Sequence, residues 1–249
     1  MPTLDWLTAR PVAHRGFHDA SAGRLENTLS AIGAAVDAGF AIEIDVHLSA
    51  DGRVFVFHDD TLDRLTTGTG PVGGMTLDAL QAVPFRATPD RIPSLEDVLD
   101  RVAGRVPLIV EVKSHFDGRH GPLTDAVARA LSAHEGPVAA MSFDPRIVAG
   151  LRATAPDLPR GIVADDAEDK EYGALRPEER TALATLAHRD ETDPHFVAYW
   201  VKLLPNSVSR RVREDWRLPL LTWTVRTSTD RAAAAAHADQ MIFEGFDPR

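Results

Sequence analysis

Ala41-Ile42-Glu43-Ile44-Asp45-Val46-His47-Leu48 says more about the fold than any other stretch of this 249-residue chain. Side chains of a strand alternate in direction, so Ile42, Ile44, Val46 and Leu48 share one face while Glu43, Asp45 and His47 share the other. At about 3.3 Å per residue the two carboxylates lie roughly 6 to 7 Å apart. Taken alone, this pattern fits a half-exposed strand with a wet polar face. In a parallel sheet, however, both faces are covered, and unpaired buried carboxylates cost several kcal/mol each. A divalent cation removes that penalty.

On either side of this stretch, short β-branched runs alternate with Ala- and Leu-rich stretches of helical period. Strands are expected near 12–16, 41–48, 54–58, 108–114, 138–143, 160–164, 196–203, 219–226 and 240–244. Helices are expected near 29–38, 76–82, 95–102, 123–134, 145–154, 178–188, 209–215 and 230–238. This alternation over about 250 residues predicts a (β/α)8 TIM-type barrel, with a doubly wound open sheet as the alternative. Nine strand candidates are one too many for the barrel. Only Ser49 to Arg53 separate the second from the third, too short for a parallel crossover, and Asp51-Gly52 is a hairpin signal. The barrel is therefore expected to be irregular at strands 2 and 3. Residues 59–93, with Thr66-Thr67-Gly68-Thr69-Gly70-Pro71 and the apolar group Val83, Pro84 and Phe85, read as a small insertion after the third strand, over the barrel mouth. No linker divides the chain, so a single barrel domain over 1–249 is expected.

Composition narrows the chemistry. The chain is 44% hydrophobic and 26% charged, as globular domains are. Its 37 acidic and 27 basic residues leave a net charge of -10, which argues against nucleic-acid partners. With no cysteine, any metal must be held by oxygen or imidazole. Met1 to Arg10 carries Asp5 where a secretory signal would be basic, and no stretch approaches the roughly 20 apolar residues of a membrane span. A cytoplasmic enzyme without an integral membrane segment is the expectation.

The pattern of 41–48 recurs in Leu108-Ile109-Val110-Glu111-Val112-Lys113, where Ile109, Glu111 and Lys113 share a face. A buried Glu111-Lys113 ion pair would explain this stretch alone. Beside Glu43 and Asp45, a third carboxylate and a lysine favour a site for a hard cation bridged to a phosphate. His14 and His58 fall at C-terminal strand ends, where barrel active sites are built, and Asp51-Gly52 would fold His58 back opposite Asp45. Histidine suits proton exchange near neutral pH, and the Arg15 fork matches phosphate oxygens. The other eight histidines, among them His18, His120, His134, His188 and His237, read as surface or satisfied core residues.

Taken together, His14-Arg15-Gly16, Glu26-Asn27-Thr28, Glu43-Ile44-Asp45-Val46 with Asp51-Gly52, His58-Asp59 with Thr61-Leu62-Asp63-Arg64-Leu65-Thr66, Ile92-Pro93-Ser94-Leu95 and Glu111-Val112-Lys113 resemble the glycerophosphodiester phosphodiesterase family in order and spacing. The likeness is firm over 11–114 and continues weakly in Ser142-Phe143-Asp144 and Trp223-Thr224-Val225-Arg226. The resemblance implies a (β/α)8 barrel and metal-dependent hydrolysis of small-molecule glycerophosphodiesters to glycerol 3-phosphate and an alcohol. It implies Glu43, Asp45 and Glu111 as ligands of one divalent cation, Mg2+ or Ca2+ with Mn2+ a further candidate. It also implies His14 and His58 as the acid-base pair, and Arg15 and Lys113 as phosphate holders. Glu26 would orient Arg15 or support the metal site, and Asn27 would either support the site or cap the following helix. Trp223, expected on the eighth barrel strand, would line the glycerol pocket, with Val83, Pro84 and Phe85 deciding tolerance for long alcohols.

The chain departs from the pattern in three places. Leu25 replaces the usual proline, His47 stands where a neutral polar residue is common, and 241–245 lacks the usual threonine-aspartate ending. His47 is thus open to a role as fourth ligand or supporting residue. Water or the adjacent glycerol hydroxyl could be the nucleophile, so a cyclising lyase or a lysophospholipase D on the same scaffold is the nearest competing reading. A silent phosphate-binding barrel is the competitor from another class.

Overall fold

The structure, a computed structural model, describes residues 4–169 and 172–249; Met1 to Thr3 of the N-terminal stretch lie outside it. Nine described strands form one sheet: β1 (Val12–Ala13), β2 (Ala41–Leu48), β3 (Val54–Val56), β4 (Leu108–Val112), β5 (Val138–Ser142), β6 (Arg160–Ala164), β7 (Phe196–Trp200), β8 (Leu220–Val225) and β9 (Gln240–Phe243). Eight of them are parallel neighbours in the order β1-β2-β4-β5-β6-β7-β8-β9, and β9 pairs back onto β1 to close a (β/α)8 barrel. β3 is the extra strand. It pairs antiparallel with the top of β2, Val46 opposite Val56 and Leu48 opposite Val54, and stays outside the ring. With β3 outside the count, β8 is the seventh barrel strand, so Trp223 sits on the seventh rather than the eighth.

The alternation read in 41–48 separates two layers. Ala41 joins Val12, Ile109, Ala139, Phe196 and Leu221 inside the barrel, and Leu7 of the short helix Asp5–Thr8 packs beneath them. Ile42, Ile44 and Val46 face outward against Ile32, Leu95, Val98 and Val127 of the covering helices. Two helix starts follow local chemistry. Thr28 accepts the Ala31 N–H ahead of Leu29–Ala38, and Ser94 with Asp97 forms a capping box ahead of Leu95–Val102.

Several elements are shorter than periodicity suggests. β1 stops at Ala13 because Arg15 and Gly16 adopt positive φ, which a ladder cannot continue. β7 gives way to a 3-10 turn, Val201–Leu203, and the helix expected over 178–188 splits into Pro177–Ala184 and Arg189–Thr192. The segment 59–93 builds a core of its own, in which Leu62, Val72, Leu77, Leu80, Phe85 and Ile92 pack with Phe57. Phe85 is buried in this core, and its ring does not line the cavity at the barrel mouth. Burial against apolar neighbours is more favourable for its ring than a place in a polar cavity.

Candidate active site

A cavity of about 260 Å³ opens at the C-terminal ends of the barrel strands, lined by His14, Arg15, Glu43, His58, Glu111, Lys113 and, across the barrel, Phe143, Asp165 and Trp223. No described residue of 59–93 lines it. Strand register builds its floor. Asp45 pairs with Glu111 across β2 and β4, and both point inward, Glu111 two residues above Ile109 of the apolar layer and Asp45 four above Ala41. Glu43, Asp45 and Glu111 are all buried, with candidate ligand oxygens within 4.8 Å of one another.

Charge at this triad is unevenly compensated. Lys113 Nζ lies 2.7 Å from Asp45 Oδ1 and 2.6 Å from Glu111 Oε1, and Arg15 Nε lies 3.2 Å from Asp45 Oδ2. Burial works against ionisation of Asp45, but Lys113 and Arg15 hold it far below the usual carboxylate range. Glu43 goes the other way. Burial pushes it well above that range, and the charges of Asp45 and Glu111 push it further. Glu43 accepts the backbone N–H of Arg15 on Oε2 at 3.0 Å, while Oε1 is buried with no hydrogen-bond partner. An orphaned carboxylate oxygen between two further carboxylates is the donor set a hard divalent cation takes. The residues present fit such an ion.

The two histidines share one arrangement. His14 Nδ1 lies 2.5 Å from Glu244 Oε2, and His58 Nδ1 lies 2.8 Å from Asp59 Oδ1. A ring nitrogen donating to a carboxylate fixes the tautomer and leaves Nε2 as the exchanging atom. Burial lowers the His14 pKa to about 4 even though the hydrogen bond to Glu244 pulls upward, so its imidazole is neutral at physiological pH. Glu244, the carboxylate that meets His14, is a site neighbour that the sequence did not single out. It follows β9, and barrel closure sets it beside His14, whose backbone N–H donates to Phe243 O at 3.0 Å. Its position at a strand end was the available signal.

Glu26 and Asn27 resolve cleanly. Asn27 is not the helix cap; Thr28 is. The Asn27 side chain instead donates to Asp45 Oδ2 at 2.9 Å and accepts the Asp45 N–H at 3.3 Å. Glu26 accepts from Arg15 at 2.7 Å and from both terminal nitrogens of Arg64 at 2.9 and 2.7 Å. Arg64 also donates to Asp59, so one ionic chain runs from Arg15 to the Asp59 that holds His58. Trp223 lines the cavity edge-on to Phe143 at 5.4 Å, its indole N–H donating to Ala198 O at 3.1 Å. His47 is not among the ligands around the carboxylate triad; its Nε2 meets His58 O at 3.2 Å.

The glycerophosphoryl diester phosphodiesterase family matches residues 14–246. Glycerophosphodiester phosphodiesterase 1 of Bos taurus is 26% identical over 223 residues, 85% of this chain and 60% of that protein. A glycerophosphodiester phosphodiesterase of Caldanaerobacter subterraneus is 31% identical over 162 residues, 61% of this chain and 65% of that protein. The chain thus spans less than two thirds of the length of these curated relatives. Among solved structures, an Oleispira antarctica phosphodiesterase in complex with the product sn-glycerol-3-phosphate superposes with a TM-score of 0.76 at 22% identity, covering 96% of this chain and 94% of that one, and so shares the fold. With a family match over nearly its whole length and the family's barrel, this chain belongs to the glycerophosphoryl diester phosphodiesterase family.

Proposed function

We propose that this chain is a phosphoric diester hydrolase that cleaves glycerophosphodiesters to glycerol 3-phosphate and an alcohol, with a divalent cation at Glu43, Asp45 and Glu111. The observation that carries this reading is the buried, unpartnered Glu43 Oε1 within an all-oxygen triad, flanked by two imidazoles whose Nδ1 atoms are both held by carboxylates. Oxygen ligands favour Mg2+, Ca2+ or Mn2+ over softer ions. When bound, such an ion supplies Lewis-acid stabilisation of the phosphodiester charge.

Arg15 and Lys113 hold phosphate oxygens, and their own carboxylate contacts fix where those charges sit. His14, neutral and with Nε2 free of Glu244, takes the proton of the nucleophile, which is either a water or the adjacent glycerol hydroxyl; in the second case a water then opens the cyclic phosphate to glycerol 3-phosphate. His58, steadied by Asp59, gives a proton to the leaving alcohol. Glu26 keeps the Arg15 fork in position through its own hydrogen bond, and Asn27 does the same for Asp45. Trp223 offers an indole face to the C–H side of the glycerol. Residues 59–93 act as an insertion at the mouth, tied to the phosphate side through the Arg64–Glu26 contact.

Product analysis with a panel of glycerophosphodiesters and lysolipids, with and without chelator, tests the reading. Release of glycerol 3-phosphate that stops on chelation and resumes with Mg2+, Ca2+ or Mn2+ is expected. A cyclic phosphate as the final product would make the protein a lyase, and full turnover in metal-free protein would remove the role assigned to the triad.

A further inference from the structure

A second cluster of potential ligands lies outside the catalytic cavity. One ligand atom each from His47, Asp60 and His115 lies within 4.8 Å of the others. They come from three separate segments: the top of β2, the stretch that follows β3, and the stretch that follows β4. Their meeting is therefore a product of the fold and not of local sequence. None of the three lines the catalytic cavity.

We propose that His47, Asp60 and His115 form a second metal site, for an ion of the zinc class, distinct from the carboxylate triad. The ligand chemistry separates the two. Two imidazoles and one carboxylate suit zinc and its neighbours, whereas the triad offers only oxygen. His47 is 6% exposed, and its ring is stacked on Phe55 at a centroid distance of 5.5 Å, which fixes its plane. Its Nε2 lies 3.2 Å from the carbonyl oxygen of His58. A carbonyl can only accept, so Nε2 carries the proton and Nδ1 the lone pair. Metal-binding histidines are commonly oriented by just such a bond from the second ring nitrogen to a backbone carbonyl.

The other two ligands complete the geometry. His115 Nδ1 and Asp60 Oδ2 lie 3.8 Å apart, and both side chains are exposed. The site is thus closed on the His47 side and open to water on the other, as a three-ligand zinc centre with one solvent position is. An ion there would tie three mouth segments together, and the His47–His58 contact joins it to the backbone that carries a catalytic imidazole.

The test measures zinc binding by calorimetry, and cobalt binding by its visible spectrum, with the triad saturated by excess Mg2+. Nitrogen-ligated cobalt bands and zinc uptake are expected in the wild-type protein and in Glu111→Gln, which impairs only the triad. His115→Ala and Asp60→Asn, both at exposed positions, should weaken zinc binding at least about tenfold while leaving Mg2+-supported hydrolysis unchanged. A zinc-edge anomalous peak between His47, Asp60 and His115 in a soaked crystal would agree. Zinc affinity unaltered in both surface variants, or abolished by Glu111→Gln alone, would overturn the proposal by putting the ion in the triad.

Discussion

At the scale of single residues, the site consists of charges that each need a named neighbour. His14→Ala and His58→Ala should each lower turnover at least about a hundredfold while metal affinity stays near normal, since the proposed mechanism uses both imidazoles as positioned proton carriers. Steady-state kinetics beside metal titration checks this. Trp223→Ala should raise KM for small glycerophosphodiesters with a smaller change in kcat; a loss of stability with unchanged kinetics would make the indole a core residue only. Glu26 gives a pH test. Burial opposes its ionisation, but the hydrogen bonds and charges of Arg64 and Arg15 lower its pKa from 4.5 to about 2. Its stabilising contribution is therefore complete above about pH 4.5 and lost as pH falls toward 2. Glu26→Gln should be less stable than wild type at neutral pH, on the order of 2 kcal/mol after allowance for the half-exposed Arg64. Denaturant unfolding at neutral and acid pH should show that gap narrowing below pH 4.5.

At the scale of elements, small residues in the barrel interior make room for large ones. Gly161 of β6 lies opposite Phe196 of β7 in register, and a Cβ added there would overlap the Phe196 ring. Phe196 is fully buried in the interior cluster, so the ring has nowhere to move. Gly161→Ala should cost about 1–3 kcal/mol by overpacking, read as a lower denaturation midpoint. The β2–β3 pair shows the other side of element-level economy. Phe57 donates its backbone N–H to Asp45 O at 3.0 Å, so the hairpin that leaves the barrel also delivers His58 to the site.

For the whole molecule, an ion that binds only the folded state stabilises it through mass action. Mg2+, Ca2+ or Mn2+ at about a hundredfold excess over Kd should raise Tm by about 5 to 10 °C in the wild-type protein. Glu43→Gln should lose most of that rise, because the triad then lacks a charge that the ion neutralises. A scanning fluorimetry series over metal concentration reads both, and an equal rise in the two proteins would place the bound ion elsewhere.

Periodicity and turn chemistry alone determined most of the architecture. The alternation in 41–48 and 108–113 separated the carboxylates from the core face, and five residues around Asp51-Gly52 were too few for anything but a hairpin. These are local properties of a chain whose side chains alternate by two, so no partner needs to be known. The tertiary structure alone decided the contacts made by closure. Glu244 meets His14 across 230 residues, Arg64 meets Glu26 across 38, and Asn27 turns from the helix start to Asp45. Phe85 turned inward to its own small core, and His47 found Asp60 and His115. Such partners are set by which strand ends lie side by side around the ring, and that order becomes a distance only when β9 returns to β1.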